Sequence, residues 1–211
     1  MTIQPKDHLL FFGDSITDND RNRQLSDDLG GGYPLYIASY LEHRYPDFDL
    51  RFTNRGIGGD RIQDLLKRLT TDCLALKPDV VSILVGINDT WHTLGDPNFG
   101  SSSIGPAFEA HYRELLSTII ESGVTRIILM EPFLLPCPAD RYEWRPDLDQ
   151  RLQVIRKMAL EFNCTFVPLD GRLNQLGIAH TFQHYTGDDG VHPTRAGHVE
   201  IANAWLAAFD I

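Results

Sequence analysis

Apolar runs of strand length alternate five times with stretches of helical spacing, and no other feature restricts the fold as strongly. Continuous apolar runs predict strands, and apolar residues at i, i+3, i+4 and i+7 predict helices. The predicted strands cover residues 9–12, 50–53, 80–85, 125–130 and 165–167. The predicted helices cover residues 33–45, 62–69, 108–122, 148–162 and 194–209. The alternation is typical of right-handed βαβ units, so we predict an α/β fold in which a five-stranded parallel sheet lies between two layers of helices.

The bulk properties exclude several classes of protein. A length of 211 residues suits one domain, residues 1–211, with a substantial core. The formal net charge of −10 argues against non-specific binding to nucleic acid and to anionic membrane surfaces. The apolar runs are too short to span a bilayer, so no membrane partner is expected.

The cysteines and the N-terminus bear on the compartment. No basic segment followed by a long apolar stretch precedes residues 9–12, so no signal peptide is predicted. Cys73, Cys137 and Cys164 form neither a C-x-x-C pair nor a metal-binding spacing. We therefore expect free thiols and a cytoplasmic protein.

Four short motifs follow predicted strands or precede the last helix. They are Gly-Asp-Ser at residues 13–15, Asn-Arg-Gly-Ile-Gly-Gly-Asp at 54–60, Gly-Ile-Asn-Asp at 86–89 and Asp-Gly-Val-His at 189–192. Ligands of open α/β sheets bind beyond the carboxyl ends of the strands. The motifs are therefore predicted to meet at one rim of the sheet, with two long loops, residues 90–106 and 132–146, overhanging it.

The first and last motifs supply the parts of an activated nucleophile. Ser15 is the candidate nucleophile, because a serine hydroxyl attacks once a base removes its proton. His192 is the candidate base, and Asp189 can accept the Nδ1 proton so that Nε2 faces Ser15. Taken alone, Gly-Asp-Ser is more often a plain turn, and Asp-x-x-His is common by chance.

The two middle motifs supply candidate oxyanion donors. The side-chain amide of Asn88 and the backbone N–H groups of Gly59 and Ser15 can point at a developing negative charge. Individually these residues have structural interpretations, since Asn88 can close a strand in an Asx-turn and Gly59 can be an ordinary turn glycine. Three carboxylates adjoin the candidates and are predicted to fix loops by hydrogen bonds rather than to act as catalytic acids: Asp14, Asp60 and Asp89.

Other motifs are weaker. His180 and His184 have the i, i+4 spacing of a zinc protease, but no Glu lies between them, so a surface or packing role is favoured. The Gly-Gly-Gly run at residues 30–32 lacks the Lys and Ser/Thr of a phosphate loop. No G-x-S-x-G elbow is present, so the chain does not have the signature of an ordinary α/β-hydrolase.

With all four motifs in order, the chain resembles the SGNH hydrolases, also called GDSL esterases, over its whole length. The resemblance implies the flavodoxin-like fold of that family and a metal-free serine mechanism without a cofactor. Within the family, the chain is most similar to bacterial intracellular carbohydrate acetylesterases of the acetylxylan-esterase type. Residues 10–18, 86–91 and 191–198 carry this similarity. Those relatives often have an aromatic residue immediately before the Asp of the last motif, where this chain has Asp188.

The resemblance implies an esterase that removes acetyl groups from a sugar or xylo-oligosaccharide. Trp91 is the candidate substrate-binding wall, since aromatic faces pack on small acyl groups and on sugars, although it can equally anchor its loop. Two alternatives stay open: a lysophospholipase or thioesterase for longer acyl chains, and an idle member of the family that binds a ligand or partner. Some of those relatives are oligomers, so self-association is also open.

Overall fold

The sheet of the protein is parallel throughout, with the strand order β2-β1-β3-β4-β5. The computed structural model describes residues 1–209. This order places β1 and β3 at the centre of the sheet, which is why they consist almost wholly of buried apolar residues. The α/β fold with a five-stranded parallel sheet is confirmed. The strands are β1 His8–Gly13, β2 Arg51–Gly56, β3 Val80–Leu84, β4 Arg126–Met130 and β5 Thr165–Val167.

Helices connect the strands and cover both faces of the sheet. Two further stretches, Leu74–Leu76 and Ala139–Trp144, form 3₁₀ turns. The helices are α1 Ser15–Asp18, α2 Tyr33–Arg44, α3 Ile62–Asp72, α4 Ile87–Trp91, α5 Ile104–Glu121, α6 Arg145–Glu161, α7 Asp170–Ala179, α8 Phe182–Thr186 and α9 Arg195–Ala207.

Alternate side chains of β1 enter two separate cores, because successive residues of a strand point to opposite faces. Leu9 and Phe11 belong to a core that includes residues of α2 and α9. Leu10 and Phe12 belong to a core that includes residues of α3 and α5. Each fully buried side chain of this size stabilises the fold by about 1.5–3 kcal/mol. The cores hold the sheet rigidly, and its carboxyl edge therefore gives a fixed base for the loops that follow the strands.

Several predicted boundaries were wrong by a few residues. The helix predicted at residues 108–122 is α5, which begins at Ile104, and the helix predicted at residues 148–162 is α6, which begins at Arg145. β2 extends to Gly56, past the predicted end at residue 53, because the polar side chain of Asn54 is buried by hydrogen bonds. Within the predicted loop at residues 132–146, the Ala139–Trp144 segment forms a 3₁₀ turn.

Candidate active site

Ser15 lies where β1 turns sharply into α1. A β-carbon at Gly13 would collide with the Leu84 carbonyl oxygen and the Thr17 hydroxyl, so this position requires glycine. Asp14 caps α1, because its Oδ1 accepts a hydrogen bond of 3.0 Å from the Ile16 amide. The tight turn leaves the Ser15 side chain partly exposed at the carboxyl edge of the sheet.

The structure brings Ser15, His192 and Asp189 into one hydrogen-bonded chain. The Ser15 Oγ lies 2.9 Å from the His192 Nε2, and the His192 Nδ1 lies 2.6 Å from the Asp189 Oδ2. The second carboxylate oxygen of Asp189 accepts from the amides of Val191 and His192, at 2.9 and 2.8 Å. These distances suit the transfer of a proton from a hydroxyl to an imidazole whose tautomer a carboxylate holds.

Asp189 and His192 each shift the pKa of the other towards its charged form. The hydrogen bond to Asp189 raises the pKa of His192 above its ordinary value, and this effect outweighs partial burial. Burial raises the pKa of Asp189, but the hydrogen bonds from His192 and from two backbone amides outweigh it and hold the pKa below the usual range. The ionised carboxylate therefore favours an imidazole that can take up a proton.

Gly59 and Asn88 come from the two middle motifs. Gly59 belongs to the loop of residues 57–61 after β2, which we call the oxyanion loop after its predicted role. Its φ of +86° is in the left-handed region that favours glycine, and apart from its chain neighbours no atom of residues 1–209 lies within 4 Å of the place where a β-carbon would be. The neighbouring Gly58 passes beside the nucleophile, since a β-carbon there would lie 3.8 Å from the Ser15 Cβ.

The Asn88 side chain is tied to this loop. Its Nδ2 donates to the Asp60 carbonyl oxygen at 3.1 Å, which uses one of the two amide hydrogens. Asn88 sits on α4, directly after β3, and is almost fully buried. The second hydrogen is chemically able to meet a substrate oxygen. The structure thus gathers all four motifs at one rim, while the roles of their residues stay predictions.

The three neighbouring carboxylates accept hydrogen bonds from the first turn of a helix or from an arginine. Asp89 accepts from the Ile62 amide at 3.1 Å, and Asp60 accepts from the Arg68 Nε at 2.7 Å. Burial raises the pKa of Asp89 and of Asp14 to about 7, and it also raises the pKa of Asp60. The Oδ2 of Asp14 is buried without a hydrogen-bond partner in the described residues 1–209.

Sequence reasoning missed two residues that hold the oxyanion loop. Arg68 donates to the carbonyl oxygens of Gly13 and Arg55, at 3.0 and 2.8 Å, and so joins β1 to β2 beneath the loop. Asp18 accepts from the Gly58 amide at 3.3 Å. A charged residue on α3 one turn from the apolar Leu65 was the available signal for Arg68; for Asp18, it was the position directly after the first motif.

Trp91 lies between the candidate base and a second tryptophan. The centre of its indole is 6.0 Å from that of the His192 ring and 5.1 Å from that of Trp144. The side chain is partly buried and packs against the core. These contacts suit both a wall of the substrate site and an anchor of the loop. Asp188, immediately before the Asp of the last motif, is exposed.

His180 and His184 do not belong to the group of residues around Ser15. His180 and His184 line a shallow cavity of about 160 Å³ with Thr181 and Tyr185. Among residues 1–209, no group of three or more His, Cys, Asp or Glu side chains is placed to hold a metal ion. In the same part of the chain, no helix is both long and apolar enough to cross a membrane.

Comparison with known proteins identifies the class. The chain belongs to the GDSL-like Lipase/Acylhydrolase family, whose model matches residues 11–199. It is a carboxylic ester hydrolase, with the three-layer fold of the GDSL or SGNH hydrolases.

Particular relatives cover nearly the whole chain. An acetylxylan esterase of Geobacillus stearothermophilus is 34% identical over 212 aligned residues, covering 98% of this chain and 95% of that protein. The crystal structure of this enzyme, Axe2, matches with a TM-score of 0.88 over 100% of this chain and 97% of that one. A protein from Parabacteroides merdae described as a GDSL-like lipase is 35% identical, with a TM-score of 0.88, and the match covers 99% and 98% of the two chains.

Proposed function

We propose that the protein hydrolyses short-chain esters, acetyl esters first, and that its substrate is an acetylated sugar or xylo-oligosaccharide. The observation that carries the proposal is the hydrogen-bonded chain Ser15–His192–Asp189, with distances of 2.9 and 2.6 Å, beside the oxyanion loop. A solved structure of Axe2 described as a catalytic mutant has a serine replaced by alanine, which supports a serine nucleophile in this family.

In the proposed reaction, the Ser15 oxygen attacks the ester carbonyl carbon while its proton passes to the His192 Nε2. The carbonyl oxygen becomes an oxyanion, held by the N–H groups of Ser15 and Gly59 and by the Asn88 amide. Asp189 holds the imidazole tautomer and stabilises the imidazolium. The C–O bond to the alcohol breaks, and His192 returns its proton to the leaving oxygen.

The second half of the reaction releases the acid. Water gives a proton to His192 and its oxygen attacks the acyl carbon of the acyl-enzyme. The resulting oxyanion collapses, the bond to the Ser15 oxygen breaks, and His192 reprotonates that oxygen. The free acid leaves, and the enzyme returns to its starting state. No step in this sequence draws on a cofactor.

The choice of acetyl esters rests on Trp91 and on the relative. The Trp91 ring lies 6.0 Å from the His192 ring, a position suited to closing a small acyl pocket, and Axe2 is described as an acetylxylan esterase. Each methylene placed in an apolar pocket would contribute about 0.8 kcal/mol if there were room for it. A lysophospholipase or thioesterase for longer chains is the second candidate, because the side chains of His192 and Asp189 are 47% and 36% exposed at an open rim.

The test compares p-nitrophenyl acetate, butyrate and octanoate, together with release of acetate from acetylated xylo-oligosaccharides. The proposal predicts at least about a tenfold preference for acetate over octanoate, and acetate release from the oligosaccharides. A rate that increases with chain length would favour the lipolytic alternative. Trp91→Ala should shift the preference towards longer chains, and an unchanged profile would mean that Trp91 only anchors its loop.

The cytoplasm is the proposed compartment. Cys73, Cys137 and Cys164 are free thiols, and the first two are buried. Free thiols are typical of proteins in reducing compartments. Fractionation of the native host, with assay of the ester hydrolase in each fraction, tests this assignment.

A further inference from the structure

The loop that carries Asp189 and His192 is tied to the rest of the protein at its two ends, and through Gly190 and the buried side chain of Val191. We call residues 187–194 the acid–base loop. Its main-chain contacts include the Leu135 amide, which donates to the Gly190 carbonyl oxygen at 2.9 Å, and the Thr194 amide, which donates to the Tyr185 carbonyl oxygen at 2.9 Å. Neither of these bonds involves the peptide group between Asp189 and Gly190.

Arg141 supplies the tie at that peptide. Its Nε donates to the Asp189 carbonyl oxygen at 2.8 Å, and no other donor to this oxygen occurs in the described residues 1–209. Arg141 lies on the 3₁₀ turn Ala139–Trp144, so the bond joins segments 48 residues apart. Arg141 therefore holds the Asp189 carbonyl oxygen, while the carboxylate is held separately by the amides of Val191 and His192.

The guanidinium group is itself fixed by aromatic rings. Its central carbon lies 4.4 Å from the centre of the Trp144 ring and 6.0 Å from that of Trp91, and the side chain is only 14% exposed. Trp91 in turn lies beside the His192 ring. The contacts close a circle: Arg141 to Asp189 through the hydrogen bond, Asp189 to His192, His192 to Trp91, and Trp91 back to Arg141.

We propose that Arg141 is a positioning residue for catalysis, which holds the Asp189 carboxylate against the His192 Nδ1 and packs behind Trp91. The inference rests on the proposed function, because a held imidazole tautomer matters only if His192 acts as a base. Misplacement of a reacting group by about 1 Å can cost about 10²-fold in rate. Arg141 thus acts through Asp189 and touches neither Ser15 nor the substrate carbonyl.

The direction in which the pKa of His192 shifts distinguishes two effects of removing Arg141: the loss of its charge and the loss of its hold on Asp189. The charged or titratable groups that face His192 are Asp189 in its own loop, Asp14 after β1 and His198 on α9. Removal of the Arg141 charge alone would raise the pKa of a nearby imidazole, because a positive neighbour disfavours the imidazolium. Loosening of the Asp189–His192 hydrogen bond would lower it, because that bond is the main cause of the upward shift.

The experiment compares Arg141→Met and Arg141→Lys with the wild type. Met keeps most of the apolar stem and removes both the donor and the charge, whereas Lys keeps the charge and loses the planar group. We expect kcat on p-nitrophenyl acetate to fall by up to about 10²-fold in R141M and less in R141K, with a smaller change in KM. The pKa of His192, followed by NMR titration, should fall in both variants.

Arg113→Met is the matched control. Arg113 also forms ion pairs, with Glu109 and Glu161, and also lies over an aromatic ring, that of Phe162 at 5.8 Å, but between α5 and α6. R113M should keep the wild-type kcat and the wild-type pKa of His192. The NMR signal of His192 is identified by its loss in His192→Gln.

An unchanged or raised pKa of His192 in R141M overturns the proposal, and so does a loss of activity that only follows the loss of folded protein. If R141M does not fold, R141K carries the same test without a change of charge. The NMR titration does not depend on the substrate. A wild-type protein without esterase activity therefore refutes the proposed function, while the role of Arg141 in holding Asp189 is still measured.

Discussion

The two sides of the candidate active site are held in different ways. On one side, bonds from several elements hold the oxyanion loop and the residues that flank it: Asp18 of α1 to the Gly58 amide, Arg68 of α3 to Asp60, and Asn88 of α4 to the Asp60 carbonyl oxygen. On the other side, main-chain bonds anchor the acid–base loop, such as that from the Leu135 amide to the Gly190 carbonyl oxygen, and the Asp189 carbonyl oxygen is held by the side chain of Arg141. Side chains from several helices thus hold the loop of the predicted oxyanion donors, whereas in residues 1–209 one arginine side chain bonds to the Asp189 main chain.

The difference has a physical reason in what each side must do. An oxyanion donor is useful when it does not move, because its benefit comes from dipoles that are already oriented before charge develops. In the proposed mechanism the His192 imidazole accepts a proton, carries a charge and releases the proton, and its partly exposed position allows this. We therefore expect the loss of Arg68, a support that is not itself a predicted donor, to be tolerated better than the loss of Arg141.

The substitution with the largest expected effect removes the Ser15 hydroxyl, the predicted nucleophile. Ser15→Ala should lower esterase activity by about 10⁴–10⁶-fold, because losses for a member of a catalytic triad are of this size. The fold should be kept, since a small hydroxyl at the rim contributes little to the core. Steady-state rates and a thermal melt measure the two effects, and activity close to that of the wild type would rule out Ser15 as the nucleophile.

A substitution with a smaller expected effect removes the side-chain amide of Asn88, a predicted oxyanion donor. Asn88→Ala should lower kcat by about 10²–10³-fold and leave KM almost unchanged, because the amide bonds more strongly to the oxyanion than to the ground-state carbonyl. Kinetics with p-nitrophenyl acetate separate the two constants. An effect on KM alone would mean that Asn88 binds the substrate without stabilising the transition state.

The acid limb of the pH–rate profile, where activity falls with falling pH, sharpens the comparison because its position follows the pKa of His192. His192 must be neutral to act as a base, and its pKa is raised above 6.5 by Asp189. Activity should therefore fall as the pH drops through that raised pKa, by about tenfold per pH unit below it. Asp14, with a pKa of about 7, titrates in the same range and acts on His192, so Asp14→Asn should move the limb slightly to lower pH.

The control for this pH profile is Asn88→Ala. It should lower the rate at every pH and leave the position of the limb unchanged, because Asn88 carries no charge. A limb that moves with N88A would show that the two sides are coupled, contrary to the separation described above.

The sequence predicted the fold well where the pattern was long and regular. The run at residues 80–85 and the helical spacing around Leu65 are local signals, and both elements are present. Short helices such as α4 and α8 were not predicted, since four or five residues carry too little periodicity to distinguish them from a turn.

The site was predictable in its motifs but not in its supports. Ser15 and His192 stand in recognisable short patterns, and the structure places their side chains 2.9 Å apart across 177 residues. Arg68 has only its place one turn after Leu65 as a signal, and Arg141 stands in no pattern. Their contacts depend on how helices and turns pack around the rim, and a single sequence contains no direct record of such pairings.

Covalent labelling tests the central claim most directly. The protein is treated with a fluorophosphonate, which forms a stable adduct with an activated serine, and the labelled peptide is mapped by mass spectrometry. The account predicts one adduct, on Ser15, that forms more slowly as the pH falls below the pKa of His192 and is absent from Ser15→Ala. An active enzyme whose label is found on another residue, or that takes up no label at all, would contradict it.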